Sequence, residues 1–272
     1  MKFILKESFN KQYGLPSNSR DFFNFFNTEF SERFLMKRIL DQIFWQPYFI
    51  KKKEIENGKN EPDYYVRHNN VILLFENKDV LIAKEIKSSG DIEKIESALK
   101  IKFLETDGRP IGIGQLVTSI LQIIGNCFPY DEYVNTKKSF KIYPILLVQD
   151  RIFETPGINY RMNQWYENMV KERLEENYNP NLIKPLTVIN IDILIYWMPY
   201  LVEKDSNFKK IIDDHLKLMT TFKKPNHSDP EVAKQIALKR FSTQIFPISQ
   251  RLNGYKFPVS LLIEKFDDII TD

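Results

Sequence analysis

The five residues Val71–Phe75, VILLF, form an apolar run with no polar side on which water could stand. A strand that is apolar on both faces belongs in the middle of a sheet covered on both sides. Just upstream, Asn69-Asn70 supplies residues that tolerate the positive φ of a tight hairpin, and Tyr64–Arg67 supplies the partner strand. A two-residue turn fixes the register. Tyr65 then faces Leu74, Arg67 faces Ile72 and Asp63 faces Glu76. Lys78 lies two residues beyond Glu76 and projects from the same face. Three ionisable groups therefore converge at the end of the most hydrophobic strand of the hairpin.

The rest of the chain supplies layers for that strand. Residues 17–45 carry Phe22, Phe25, Phe26, Phe30, Phe34, Leu35 and Ile39 at helical spacing behind Ser19 or Asp21 as cap, which predicts a long amphipathic helix. Val80–Ile86 reads as a third strand. Ser89 is the expected cap of a polar helix over Asp91–Leu104, and the loop ETDGRP leads to an apolar helix over Gly112–Cys127. Lys141–Val148 is a buried strand, 160–178 an amphipathic helix, Leu186–Ile191 a strand and Ile193–Val202 a helix. From about residue 206 the pattern is helical, restarting at Asp229-Pro230. This order predicts an α/β fold with a central mixed β-sheet flanked by helices. The core is expected within residues 1–150, with 151–272 as a largely helical C-terminal extension packed on it.

Composition narrows the class. Hydrophobic residues make up 43% and aromatics 14%, enough for a sizeable core. A net charge of +3 permits a nucleic-acid partner without requiring one. The single cysteine, Cys127, excludes an internal disulfide and fits a reducing compartment. No stretch approaches the roughly 18 apolar residues of a membrane span, so no membrane is expected and a cytoplasmic location is. One cysteine and three histidines give no zinc spacing, and there is no glycine-rich phosphate loop or serine-nucleophile elbow.

Two carboxylates held opposite each other repel unless a positive group sits between them. A hard divalent ion suits that place: Mg²⁺ takes oxygen ligands and is commonly held by one or two carboxylates. Such an ion acidifies water and neutralises charge on a phosphodiester oxygen. A neighbouring lysine can orient the water or stabilise developing charge.

Pro62-Asp63, then twelve residues, then Glu76-Asn77-Lys78 after an apolar strand resembles the PD-(D/E)xK nuclease superfamily, the restriction-endonuclease-like fold. The likeness covers roughly residues 20–150. It implies a nuclease that hydrolyses DNA in restriction, anti-phage defence or DNA repair, with RNA left open as a substrate. It implies Asp63 and Glu76 as metal ligands, the Asn77 carbonyl as a third, and Lys78 serving the attacking water. Mg²⁺ is the implied cofactor, with Mn²⁺ substituting. An additional acid on the first helix falls to Glu29 or Glu32, and a helical glutamine to Gln115. A homodimer or a partner subunit is compatible with cutting both strands. A second triplet, Glu85-Ile86-Lys87, competes for the motif, but Lys84 interrupts its apolar approach and no aspartate stands opposite. A cross-strand bridge from Glu61 to Lys78 is the alternative use of the lysine. A restriction-endonuclease-like module that binds nucleic acid or protein without cutting is the alternative function.

Overall fold

The computed structural model describes residues 2–17, 19, 21–53, 61–136, 139–221, 225 and 227–252. At its centre is a five-stranded mixed sheet. Its strands are β1 (Ile50–Lys51), β2 (Tyr64–His68), β3 (Val71–Lys78), β6 (Lys141–Val148) and β7 (Thr187–Asn190), and they stand side by side in that order. The first three run antiparallel, and β3, β6 and β7 run parallel. The hairpin register is as the turn requires, with Tyr65 opposite Leu74, Arg67 opposite Ile72, and Asn69 at a φ of 53°.

Alternation along the strands divides the core in two. Tyr65, Ile72, Leu74, Ile142, Leu146 and Val188 face α5 (Ile92–Phe103), α6 (Ile113–Ile124) and α7 (Ile158–Leu174). Tyr64, Val66, Leu73, Phe75, Tyr143, Leu147 and Ile189 face α3 (Lys37–Ile43), α8 (Ile191–Glu203) and α9 (Ser206–Thr220). Residues beyond 150 thus contribute a strand and three core-forming helices, α7, α8 and α9, to the same sheet. Pro144 sits inside β6 although proline removes a ladder donor. Its neighbour Ile142 bonds toward Leu182 and Lys184, and the β7 ladder begins only at Ile145↔Thr187, so the missing N–H falls where no ladder bond is asked of it.

Several expectations need correction. Val80–Ile86 is no strand: Val80–Ala83 is irregular, and α4 (Lys84–Lys87) is a single helical turn. The free side of β3 is taken by β6 along all of Val71–Lys78, and the third antiparallel strand is Ile50–Lys51. Asp91, whose side chain accepts from the Lys94 N–H, caps α5, while Ser89 accepts from Asp91. The ETDGRP loop is a small ribbon, β4 (Glu105–Thr106) and β5 (Arg109–Pro110), turned by Asp107 and Gly108 at positive φ.

The first long helix runs as α2 (Asp21–Phe25), a π-helical segment (Phe26–Met36) and α3. Phe22, Phe26, Phe30 and Phe34 stack along it with ring centroids 4.9 to 5.9 Å apart. An eleven-residue π segment is uncommon, and such irregularities concentrate at functional sites. This one carries Ser31 and Glu32. Further on come α10 (Pro230–Ile245), started by Asp229 as the sequence requires, and α11 (Ile248–Arg251). An α1 helix (Lys2–Gln12) precedes them all. Among the described residues no helix is long and apolar enough to cross a membrane.

Candidate active site

The hairpin delivers the three predicted groups to one place. Alternation puts Glu76 and Lys78 on the α6 face, in phase with Ile72 and Leu74, and Asp63 on the same face, in phase with Tyr65. One step beyond Tyr64↔Phe75, Asp63 and Glu76 form a pair of the non-hydrogen-bonded kind, in which side chains stand closest. One step further, Asn77 stands opposite Pro62. That pair would normally exchange two backbone hydrogen bonds, but proline has no N–H to give. The Asn77 N–H, whose ladder acceptor would be the Pro62 carbonyl, donates to Asp63 Oδ2 at 2.7 Å, while that carbonyl accepts from Lys52 Nζ. The two peptide groups of a strand residue point to the same neighbour, so the Asn77 carbonyl also faces this side and finds no backbone donor on β2.

Glu76 is completely buried, no neighbouring donor reaches its Oε1, and its carboxyl lies against that of Asp63. Its Oε2 lies 3.5 Å from the Lys78 ammonium. Burial first, and then Asp63, push the Glu76 carboxyl well above its ordinary range, with Lys78 pulling the other way. The Lys78 pKa is also shifted upward. Burial would lower its pKa, but Glu76, Asp63 and Glu32 outweigh burial and raise it, so it stays an ammonium at neutral pH. From the other side of the strand end, Glu32 joins the same field. Its pKa is raised to about 7 by burial and by Asp63, against Lys78, Lys52 and Arg33.

A groove of about 660 Å³ opens here, lined by Glu32, Asp63, Lys52, Glu61, Arg33 and Lys37 among others. Beneath it a polar network ties the helix to the strands. The Ser31 hydroxyl accepts from Asn77 Nδ2 at 3.0 Å and from Gln149 Nε2 at 2.9 Å, and Gln149 also reaches Asn77 Oδ1. Lys52 holds the other wall, donating to the Pro62 carbonyl at 2.8 Å and pairing with Glu61 at 2.9 Å. Glu61 is therefore spent on Lys52, and the alternative bridge from Glu61 to Lys78 is not made. Gly112, at a φ of 53°, lies against the Lys78 stem: a Cβ there would meet Lys78 Cγ at 3.4 Å, an ordinary contact, and the Phe103 carbonyl at a tighter 3.3 Å.

The remaining predicted residues lie apart. Glu29 is half-exposed and paired with Arg33 at 2.7 Å, one turn along the outer helix face. Gln115 bends back so that its side-chain oxygen accepts from the Gly112 N–H at 2.8 Å, which makes it a capping residue of α6. Glu85 and Lys87 are exposed on α4, and Lys87 reaches Asp150 instead of any residue of the hairpin. Ser31, Gln149 and Lys52 went unseen in the sequence. Lys52 lies in a mixed stretch, and the other two have partners 46 and 118 residues distant in the chain.

Among the described residues no three His, Cys, Asp or Glu side chains are already gathered as an ion cage. The donor set nevertheless fits a hard divalent cation: two facing carboxylates, one with an open buried oxygen, and a carbonyl that proline leaves free. All of these donors are oxygens. Comparisons with protein-family models, curated proteins and solved structures gave no match for this chain. Any functional reading therefore stands on the geometry of this strand end.

Proposed function

We propose that the chain is a Mg²⁺-dependent nuclease of the PD-(D/E)xK kind, hydrolysing phosphodiester bonds of DNA, with Mn²⁺ able to replace Mg²⁺. The observation that carries this reading is the open oxygen of Glu76. A carboxylate oxygen wholly buried, without a donor and beside a second carboxylate is costly to keep unless a cation completes it. Asp63, Glu76 and the Asn77 carbonyl would hold the ion. When bound, Mg²⁺ supplies Lewis-acid neutralisation of a phosphodiester oxygen and acidification of water.

The chain's own residues do the rest. Lys78, kept protonated by Glu76, Asp63 and Glu32, presents a fixed positive charge to the pentavalent phosphate as negative charge develops there. Its stem is aligned by the packing over Gly112. Glu32, poised near neutrality at the groove, can hold or release a proton next to Asp63. Lys52 and the Ser31–Asn77–Gln149 network keep the two strand ends and the helix in register, so the ligands need little rearrangement. A role in restriction, anti-phage defence or DNA repair belongs to this reading.

Incubation of supercoiled plasmid with the purified chain and Mg²⁺ or Mn²⁺ tests it. Nicking that EDTA stops and that Asp63→Asn and Glu76→Gln abolish is the expected result. A parallel single-stranded RNA substrate decides between nucleic acids. The Lys78–Glu76 ion pair favours a second reading, a module on the same scaffold that binds nucleic acid or protein without cutting, because the pair partly neutralises the site by itself. Tight DNA binding, unaffected by Glu76→Gln and accompanied by no nicking in either metal, would select that alternative.

A further inference from the structure

The opposite end of the sheet holds a second concavity, of about 720 Å³. Lys141 opens β6 there. The parallel register pairs Val71 with Lys141 and Lys78 with Val148, so Lys141 and Lys78 are separated by seven residues along the sheet, roughly 23 Å. Five lysines line this cavity from four separate segments: Lys141 on β6, Lys171 on α7, Lys184 on the loop before β7, and Lys209 and Lys217 on α9.

Two of the five are neutralised. Lys171 pairs with Glu167 at 3.1 Å, and Lys209 pairs with Asp213. No ion pair is formed by Lys141, Lys184 or Lys217 among the described residues. Among the described residues the acids on the cavity wall are Glu167 and Asp213, which leaves Lys141, Lys184 and Lys217 without an acidic partner there.

Backbone bonds hold the segments that carry these lysines around one concavity. The Ile142 N–H donates to the Leu182 carbonyl at 2.8 Å, and the Lys184 N–H donates to the Ile142 carbonyl at 2.9 Å, which docks the Lys184 segment along the start of β6, with Ile183 level with Ile142. The Tyr143 hydroxyl donates to Asp213 at 2.9 Å and ties α9, with Lys217, to the same strand. Like charges forced together cost stability, and an anion between them removes that cost. These three line one concavity of about 720 Å³, a size that takes small ligands.

We propose that this cavity binds a small polyphosphate-bearing anion, such as the di- or triphosphate tail of a nucleotide, with Lys141, Lys184 and Lys217 as its charge partners. The site is remote from the carboxylate pair and stands independently of the nuclease reading.

The probe is inorganic tripolyphosphate, titrated calorimetrically into the full chain with EDTA present and ionic strength held constant. Saturable binding and a raised melting temperature are expected. Each of Lys141→Gln, Lys184→Gln and Lys217→Gln should weaken binding about tenfold, the usual effect of losing one charged hydrogen-bond donor. The triple variant should lose binding altogether. A control triple variant of equal charge, Lys94→Gln with Lys102→Gln and Lys234→Gln on other surfaces, should bind as the wild type does. Equal affinity in the two triple variants would overturn the proposal, as would a melting shift no larger than sodium chloride gives. Overturning it too would be a 12-base-pair DNA duplex whose binding needs these three lysines while tripolyphosphate stays silent, because the surface would then contact nucleic-acid backbone.

Discussion

Replacing Glu76 by glutamine removes one charge and leaves the shape of the side chain. In the metal-free protein the carboxyl of Glu76 is raised well above its ordinary 4.5, by burial and then by Asp63. A group whose folded pKa is raised contributes stability below its unfolded pKa and loses it as pH climbs through the folded value. At pH 8 the wild type therefore carries this penalty, and at pH 4 it does not. The net shift is upward, so the variant should be more stable than the wild type at pH 8 and lose that advantage at pH 4. Lys78 limits the gain, since at 3.5 Å and an effective dielectric of 20 the ion pair is worth about 5 kcal/mol of attraction that the variant gives up. The upward direction of the shift says that burial and Asp63 together exceed it.

Metal reverses the ranking. An ion at a hundred times its dissociation constant stabilises the wild type by about 2.7 kcal/mol, or roughly 5–10 °C for a chain of this size. The variant, short of one carboxylate, should gain far less. Thermal melts of both proteins at pH 4 and pH 8, with EDTA and with millimolar Mn²⁺, read all four corners. If Glu76→Gln is the less stable protein at pH 8 in EDTA and both proteins gain equally from Mn²⁺, Glu76 is a structural ion-pair partner and the ion binds elsewhere.

Lys78→Ala should keep the fold and metal-induced stabilisation yet lose about a hundredfold or more in DNA cleavage, while undiminished turnover would remove Lys78 from the mechanism. Glu85→Ala and Lys87→Ala, on the exposed α4 turn, should each change cleavage by less than about tenfold, and an essential pair there would relocate the motif. Pro62→Ala returns a backbone donor opposite Asn77 and should weaken Mn²⁺ affinity about tenfold, measured by calorimetry, whereas unchanged affinity would mean that the Asn77 carbonyl is no ligand. His215 is buried, bonded to Asn159 at 2.9 Å, and held neutral by burial and Arg251 with a pKa near 3. Its folded pKa lies below its unfolded value, so stability is full above about pH 6.5 and falls with acid. Wild type should lose about 2 kcal/mol relative to His215→Gln between pH 7 and pH 5, and parallel pH profiles for the two proteins would refute this assignment.

Legibility followed how local each determinant was. The hairpin could be read residue by residue because an Asn-Asn turn fixes register and a five-residue apolar run fixes depth. Asp229-Pro230 announced its helix for the same reason, a cap and a first-turn proline being adjacent in sequence. Ile50–Lys51 carries no such signal, since a two-residue edge strand has no period to detect, and its place was given in error to Val80–Ile86. Apolar content alone suggests a strand over Val80–Ile86, but the helix formers Lys84 and Glu85 take the chain into a single turn. The π segment was legible only as a helix, because its phenylalanines at intervals of four suit either winding.

For the site the division falls differently. Asp63, Glu76 and Lys78 converge through pairing alone, and pairing is a property of the hairpin. Glu29 and Glu32 could not be told apart in sequence, because three residues on a helix separate them and only the π winding decides which one faces Asp63. The structure turns Glu32 inward and leaves Glu29 to Arg33. Pro62 is the residue whose meaning changed most. Beside Asp63 it looked like half of a motif, with no chemistry of its own. In the sheet it stands where β2 would otherwise donate an N–H to Asn77, and its absent hydrogen leaves the Asn77 carbonyl open on the side where the two carboxylates meet, while Asp63 accepts from the Asn77 N–H. An alanine there would fold as well and close that oxygen off. The proline is thus placed by what it cannot donate.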